Sequence, residues 1–443
     1  MSVMPGADTP VPKAFRQGTH RAISPEATLA RLSPHLSEMG ITRVANVTGL
    51  DIIGIPVTMV SRPNSRSLSV SQGKGLTLDA ARASGLMEAI EGYHGEHIML
   101  PLKLASYEEI RCSHRVIDVW QLPRSSTGTF HPNLPLLWIE GFDLLQQEPV
   151  WLPYATVHCN YCMPMPPSTS CFPVTTDGLA GGNHLLEALS HAICEVVERD
   201  AATLWKLRRM EERLATRLDL STVDDPACCV VLEKCERAGV IVAAWDITSD
   251  VGLPAFEAWI AERVIDPLRP LYQAAGMGCH PVRTIALLRA LTEAAQSRLT
   301  MISGARDDMF PEEYEQQRHQ DTLAAQRSLM ELPGPGRRFA EIPTFEFQTF
   351  DQDVELQLNV LRKVGIERVV AINLTRDDWR IPVVRVVIPG MESVAADIPP
   401  DYVFGARAQA LLESHSGVFL GLTEADASRR PVNFNPWQKG QQI

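Results

Sequence analysis

The chain has 443 residues, 45% of them apolar and 21% charged, long enough for one large core or two to three smaller ones. A formal net charge of −12 at pH 7 argues against nucleic acid or an anionic membrane as the main partner. No window approaches twenty uninterrupted apolar residues, which excludes a membrane-spanning helix. The N-terminal MSVMPGADTPVPKAF lacks the apolar stretch of a secretory signal. Nine cysteines, an odd number scattered along the chain, fit a reducing compartment, so the expected location is cytoplasmic.

In chain order, residues 37–57 (SEMGITRVANVTGLDIIGIPV) read as the end of an amphipathic helix, a glycine, a β-branched strand, a polar turn and a second strand opening at Pro56. Residues 73–91 (GKGLTLDAARASGLMEAIE) form a glycine-rich loop running into a helix that carries Glu88 and Glu91. The pattern breaks at 112–136. Cys159 and Cys162, preceded by His158 and followed by Cys171, make a C-x-x-C. A structural zinc needs four ligands at defined spacing; no second close pair exists, so these read as ordinary thiols, as do the adjacent Cys228 and Cys229. After the proline-rich loop 161–173 the glycine-loop helix recurs at 178–199 (GLAGGNHLLEALSHAICEVVER), ending in Glu195, Glu198 and Arg199. Gly75 to Glu88 and Gly182 to Glu195 span the same interval. The helix–glycine–strand–strand pattern recurs at 236–255, with its second strand opening at Pro254. A third, weaker copy of the glutamate helix, ALLRALTEAAQSR at 286–298, places Glu293 and Gln296 where the pairs stand, with Arg298 just beyond. A charged helix is predicted over 311–331. The strand unit appears once more at 362–383, opening its second strand at Pro382.

These elements predict a mixed α/β (α+β) protein with antiparallel or mixed sheets, packed helices and repeated helix–strand–strand units. The glycine-to-proline intervals vary, which excludes a solenoid of fixed period. The units interleave, so one composite domain is expected over 21–410, with an N-terminal tail 1–20 and a C-terminal segment 411–443. Residues three apart share a helix face, so each helix presents two carboxylates to one point. A single E-x-x-E is usually a solvated face. Here both pairs sit among apolar residues, where carboxylates need a cation, and the whole unit recurs. Four carboxylates from two helices suit a hard divalent cation such as magnesium, which usually also takes phosphate oxygens. Lys74, Arg199 and Arg298 are the nearest cations for those phosphates. The position four before each first carboxylate is polar in all three copies: Ser84, His191 and Arg289.

The motifs Ser84-Glu88-Glu91, Asn183-Glu187 with Glu195-Glu198-Arg199, and Glu293-Gln296-Arg298 resemble, in order and spacing, those of the YcaO family. The Gly-Lys-Gly before the first helix and IPGME at 388–392 also match. The resemblance implies binding of ATP and Mg2+ in a fold without a Walker P-loop, and activation of backbone amides in ribosomally made peptides or proteins. It implies Glu88, Glu91, Glu195 and Glu198 as magnesium ligands. Ser84, Asn183, Glu187, Gln296 and Arg298, with Arg21 and Thr28 near the start and Lys74 in the loop, are implied around the nucleotide. Arg199 and Arg298 are expected to neutralise charge during the reaction.

Two departures narrow the reading. The first motif usually continues Glu-Arg, but Glu91 is followed by Gly92; such sequences look most like the subgroup encoded beside a TfuA-like partner, which makes thioamides. The terminal FNPWQKGQQI, with only Pro431 and Pro436 nearby, differs from the proline-rich tail of azoline-forming members. No N-terminal extension is large enough for a fused leader-peptide-binding domain, so a separate TfuA-like partner is expected, together with a homodimer. In the implied reaction a nucleophile adds to the backbone carbonyl and the oxyanion attacks the γ-phosphate. Loss of phosphate leaves a thioamide if the nucleophile was sulfide, or an azoline ring if it was a neighbouring Cys, Ser or Thr. The alternative of another class is a non-catalytic nucleotide-binding scaffold. His94 and His97, placed on a turn after Glu91, are candidate bases by proximity alone, with a structural role more natural.

Overall fold

All three predicted strand units form in the computed structural model, which describes residues 10–126, 128, 130–164, 169–264, 273–317, 319–332, 334, 336–393 and 401–416. Gly40, Gly239 and Gly365 have φ of +72°, +68° and +84°, the left-handed conformation that ends a helix at least cost in glycine. The strands that follow are Arg43–Asn46, Val240–Asp246 and Val370–Asn373. Each pairs antiparallel with a strand beginning one residue after the predicted proline: Val57–Ser61, Ala255–Glu262 and Val383–Val387.

A third strand completes each unit. Val70–Lys74 pairs with Val57–Ser61, Ala274–Cys279 with Ala255–Glu262, and Leu179–Gly181 with Val383–Val387, all antiparallel. Each third strand leads into a glutamate helix: Leu78–Glu96, Arg283–Ser303 and Leu185–Lys206 respectively. The fold is therefore built on three topologically equivalent units, each of three strands feeding one helix. One unit is discontinuous, because the strand before the second glutamate helix takes its partners from near the C-terminus. That unit extends into a six-stranded sheet in the order Leu102–Ala105, Leu136–Asp143, Val370–Asn373, Val383–Val387, Leu179–Gly181, with Glu148–Pro153 also on Leu136–Asp143.

Local chemistry fixes where the helices start. Thr77 caps the first, accepting from the Ala80 amide at 3.2 Å, and the His184 Nδ1 caps the second, accepting from Leu186 at 3.2 Å. The second helix is apolar on most sides, with Ala188, Ile193, Val197, Ala201 and Trp205 all buried. They pack against Trp245 and Ala371 from two different sheets, so this helix forms the centre of the core. Strand and helix approach so closely in two units that glycine is required. A Cβ on Gly73 would lie 2.0 Å from the Ala81 carbonyl oxygen, and one on Gly278 would lie 2.1 Å from that of Ala286.

Several expectations change. His94 lies within the first glutamate helix, not on a turn after it; its buried ring meets the Ile90 carbonyl oxygen at 2.7 Å, and His97 closes the same helix. The segment 311–331 divides into two helices, Pro311–Gln317 and Gln320–Glu331. Residues 10–20 are seated rather than a tail, since Pro12 bridges to Thr349 and Phe15 to Arg21. A helix, Ala406–Ser416, runs across the boundary expected at 410. The terminal residues with Pro431 and Pro436 lie outside the described residues. Among the described residues no helix is long and apolar enough to cross a membrane.

Candidate functional site

The three glutamate helices wall a cavity of about 1410 Å3, lined among others by Ser84, Glu88, Glu91, Glu195, Glu198, Arg199, Glu293 and Gln296. Lys74, Asn183, Glu187, Arg21 and Thr28 belong to the same lining. Of the site residues expected from sequence, all but one are thus brought together.

The exception is Arg298. Its side chain is fully buried and binds Asp51 through Nε at 3.0 Å and Nη2 at 3.2 Å, and Glu262 through Nη2 at 3.3 Å. It does not line the cavity. Gln296 and Arg298 are two apart on an α-helix and so point to different faces. The motif spacing thus carries the arginine away from the cavity and into a structural clamp.

The carboxylates are held by a repeated device. The Glu88 Oε1 accepts from the Gln72 amide at 3.3 Å, and the Glu293 Oε1 accepts from Met277 at 3.2 Å. In both cases the donor lies in the strand before the helix, sixteen residues back. The second acid of each pair reaches the strand of the next unit: Glu91 accepts from Gly181 at 2.6 Å, and Glu198 from Cys279 at 2.7 Å. Backbone donors leave a carboxylate's other lone pairs for a ligand while fixing its direction. No three of the four paired glutamates bring ligand atoms within 4.8 Å of one another among the described residues, so they frame a wide site that phosphate oxygens would complete.

Electrostatics make the framing consequential. Burial pushes the Glu91 carboxyl up to about 8, against the Gly181 amide and reinforced by Glu88 and Glu195. Burial likewise raises Glu195 to about 7, opposed by Arg199. It raises Glu88 to about 7 against the pull of Lys74, although Glu88 opens onto the cavity, where water moderates the shift. Burial raises Glu198 too, against Arg199. Glu293 is also desolvated, yet Lys74 and Arg199 hold it below the usual range. Desolvated acids grouped in this way are chemically suited to a cation.

Cations of the protein flank them. The Lys74 Nζ bonds the Glu293 Oε2 at 2.7 Å. Arg199 lies 3.4 Å from Asp177, 3.6 Å from Glu195 and 3.4 Å from Glu198. Arg289 meets the His191 Nδ1 at 3.0 Å. Glu187 accepts from the Ala22 amide at 2.9 Å and lies 3.7 Å from Arg21. Asn183 Oδ1 accepts from the Thr28 hydroxyl at 3.0 Å. The Gln296 Oε1, buried and lining the cavity, has no partner. An orphaned amide oxygen, ionisable acids and paired guanidinium groups fit a magnesium–nucleotide complex. Glu88, Glu91, Glu195 and Glu198 would hold the metal, and Lys74 and Arg199 would face phosphate charge.

Sequence reasoning missed Asp177, Arg306, Tyr161 and Arg62, which also line the cavity. Asp177 immediately precedes the second glycine loop, the one signal that could have found it. Arg62 packs closely on Gly92: a Cβ there would come 3.0 Å from the Arg62 Nη1, which donates to the Ala89 carbonyl at 2.7 Å, and the same guanidinium pairs with Glu96.

The family model described as YcaO cyclodehydratase, ATP- and Mg2+-binding, matches residues 72–392. A protein of Rhizobium leguminosarum bv. trifolii, named as uncharacterized in the tfuA 3′ region, is 37% identical over 397 residues, 88% of this chain and 92% of that protein. A protein of Methanothermobacter thermautotrophicus is 34% identical over 380 residues, 85% of this chain and 96% of its own. Among solved structures, YcaO from Methanopyrus kandleri bound with AMPPCP and Mg2+ superposes with a TM-score of 0.68 at 21% identity, covering 88% of this chain and 99% of that one. A heterocyclase in complex with substrate and cofactor gives 0.71 at 24% identity, covering 87% of this chain and 54% of that longer chain. With three strand-to-helix units carrying the ordered acid motifs, and a family match across most of its length, the chain belongs to the YcaO family, whose members bind ATP and Mg2+.

Proposed function

We propose that this protein uses ATP and Mg2+ to activate a backbone amide in a ribosomally made peptide or protein, and that with a TfuA-like partner it installs a thioamide. The observation that carries the finer reading is the 37% identity, over nearly the whole chain, to a protein named for its place beside tfuA. The room left by Gly92 for Arg62 agrees with it.

The nucleotide would supply a phosphoryl group that turns the amide oxygen into a leaving group. The chain's share is positioning and charge neutralisation. The amide-pinned Glu88, Glu91 and Glu198 would hold a metal with little rotamer search, and Arg199, linked to Asp177, Glu195 and Glu198, would neutralise developing negative charge. Lys74 is tied to Glu293, so it can exchange that carboxylate for a phosphate oxygen at little net cost. Tyr161, Phe172 and Tyr402 also line the cavity. At about 1410 Å3 the space exceeds the roughly 300–1,000 Å3 typical of a single small-molecule pocket, which leaves room for a peptide segment beside the nucleotide.

Reconstitution with the TfuA-like protein, a candidate peptide, Mg-ATP and sulfide tests this. The expected product gains the mass difference between sulfur and oxygen, with phosphate release dependent on the peptide. A product that only loses water, formed without sulfide, would replace thioamidation by azoline formation.

A further inference from the structure

A buried cluster outside the acid site joins Lys13, His20, His280 and Asp353. The side chains of Lys13 and Asp353 are fully buried, and the Lys13 Nζ lies 2.7 Å from Oδ1 and 2.6 Å from Oδ2 of Asp353. The His20 ring packs edge-on to His280, centroids 5.3 Å apart, and His20 is only 6% exposed with its Nδ1 unpartnered. His20, His280 and Asp353 bring ligand atoms within 4.8 Å of one another, a geometry a divalent cation could use. The Lys13 ammonium already sits on both carboxylate oxygens, however, so an internal cation closes the cluster.

The placement of these residues suggests another role. Residues 11–15 lie along the start of the helix Phe350–Lys363: Val11 donates to the Asp351 carboxylate at 2.7 Å, Phe350 to the Val11 carbonyl at 2.9 Å, and Lys13 to the Gln348 carbonyl at 3.0 Å. That helix is fastened to the second glutamate helix by Gln357, which donates to the Ser190 carbonyl and hydroxyl oxygens at 3.0 Å. From this anchor the chain makes a tight hairpin, with Phe15 and Arg21 exchanging both backbone bonds at 2.9 and 3.0 Å. Gly18 turns its tip at φ +69°. Gln17, Gly18, Thr19 and Arg21 line the cavity, while His20 points the other way, onto His280. His280 directly follows Cys279, whose amide holds Glu198.

We infer that residues 11–21 form a strap, locked by the Lys13–Asp353 ion pair and the His20–His280 contact, that positions Arg21 on the nucleotide. This rests on the ATP reading of the cavity. Lys13 and His20 are positioning residues that touch nothing in the cavity themselves; they act through Arg21.

The test is a double-mutant cycle on the full-length protein, titrated with a non-hydrolysable ATP analogue and Mg2+. K13M is expected to weaken binding about tenfold when Arg21 is present and to add no loss in an R21A background, since coupled residues are non-additive. H20A should behave likewise, and H20F, which restores a ring against His280, should recover affinity; this arm serves if K13M does not fold. A purely structural role would give additive losses in both backgrounds, and that result, or unchanged affinity in K13M and H20A, overturns the strap alone. Absence of analogue binding by the unmodified protein would overturn the ATP reading and the strap together.

Discussion

Each acid of the cavity is defined by what holds it, and the holders differ in consequence. Glu195 has Arg199 as its close partner, so Glu195→Ala removes a proposed metal ligand without opening a backbone bond and leaves the arginine on Asp177 and Glu198. Peptide-dependent phosphate release should fall ~100-fold or more while the melting temperature changes little; retained turnover would rule Glu195 out as a required metal ligand. The raised acids also set a pH dependence. Glu91 and Glu195 move from an ordinary 4.5 to about 8 and 7, so between these limits the folded protein without ligand holds more protons than the unfolded chain. Its stability is therefore greatest at the acid side and is lost as pH rises through 7 to 8. The proposed metal role of these acids needs them ionised, so on that reading Mg-nucleotide affinity should rise over the same interval. Calorimetric melting and titration between pH 6.5 and 8.5 should show the two trends running in opposite directions. Arg298 gives a contrasting case. Arg298→Met leaves the carboxylates of Asp51 and Glu262 without this guanidinium, a loss of ~3–5 kcal/mol in stability. Nucleotide affinity measured well below the melting point should fall far less, and a collapse of affinity at unchanged stability would contradict the clamp.

At the level of elements, the tight seating of strands on helices is as important as the acids. Gly73 lies between Gln72, whose amide holds Glu88, and Lys74, which binds Glu293. Gly73→Ala forces a Cβ to within 2.0 Å of the Ala81 carbonyl oxygen, and overpacking of this kind costs ~1–3 kcal/mol or more. It should lower both the melting temperature and the affinity for Mg-nucleotide, since strand and helix must separate. Much of this was legible in the sequence. The helix–glycine–strand–proline pattern located three hairpins to within a residue, because a left-handed glycine and a strand-opening proline are local requirements of the backbone. The helices bearing Glu88, Glu91, Glu195 and Glu198 were legible for a similar reason, since their spacing fixes a shared face. What local patterns could not show is partnership. That Leu179–Gly181 pairs with Val383–Val387 is a long-range event with no periodic signature. Arg298 is adjacent to the cavity in sequence but not in space, because Gln296 and Arg298, two apart on the helix, do not share a face. Arg62 and Arg306 reach the cavity by tertiary placement, and nothing in their neighbourhoods advertises it, whereas Asp177 at least borders the second glycine loop.

For the whole molecule, three equivalent units meeting at one cavity make ligand and fold interdependent. Saturation with Mg-nucleotide at a hundred times its dissociation constant should stabilise the protein by ~2.7 kcal/mol, read as a rise in melting temperature that disappears in Glu198→Gln. The amide bonds between units have a direction. The first helix leans on the second unit's strand through Glu91 and Gly181, and the second on the third's through Glu198 and Cys279. The third helix offers Gln296 at the corresponding place, and in the first strand that place belongs to Lys74, yet the Gln296 Oε1 has no partner. The circle therefore has one seam, between the third unit and the first, bridged by the Lys74–Glu293 pair. A bound nucleotide would act there as the missing stitch, supplying the contact that the polypeptide leaves unmade. Hydrogen exchange in strand 70–74 and helix 283–303 should slow more on binding than in the second unit, so that loading of the site is felt first as closure of the protein on itself.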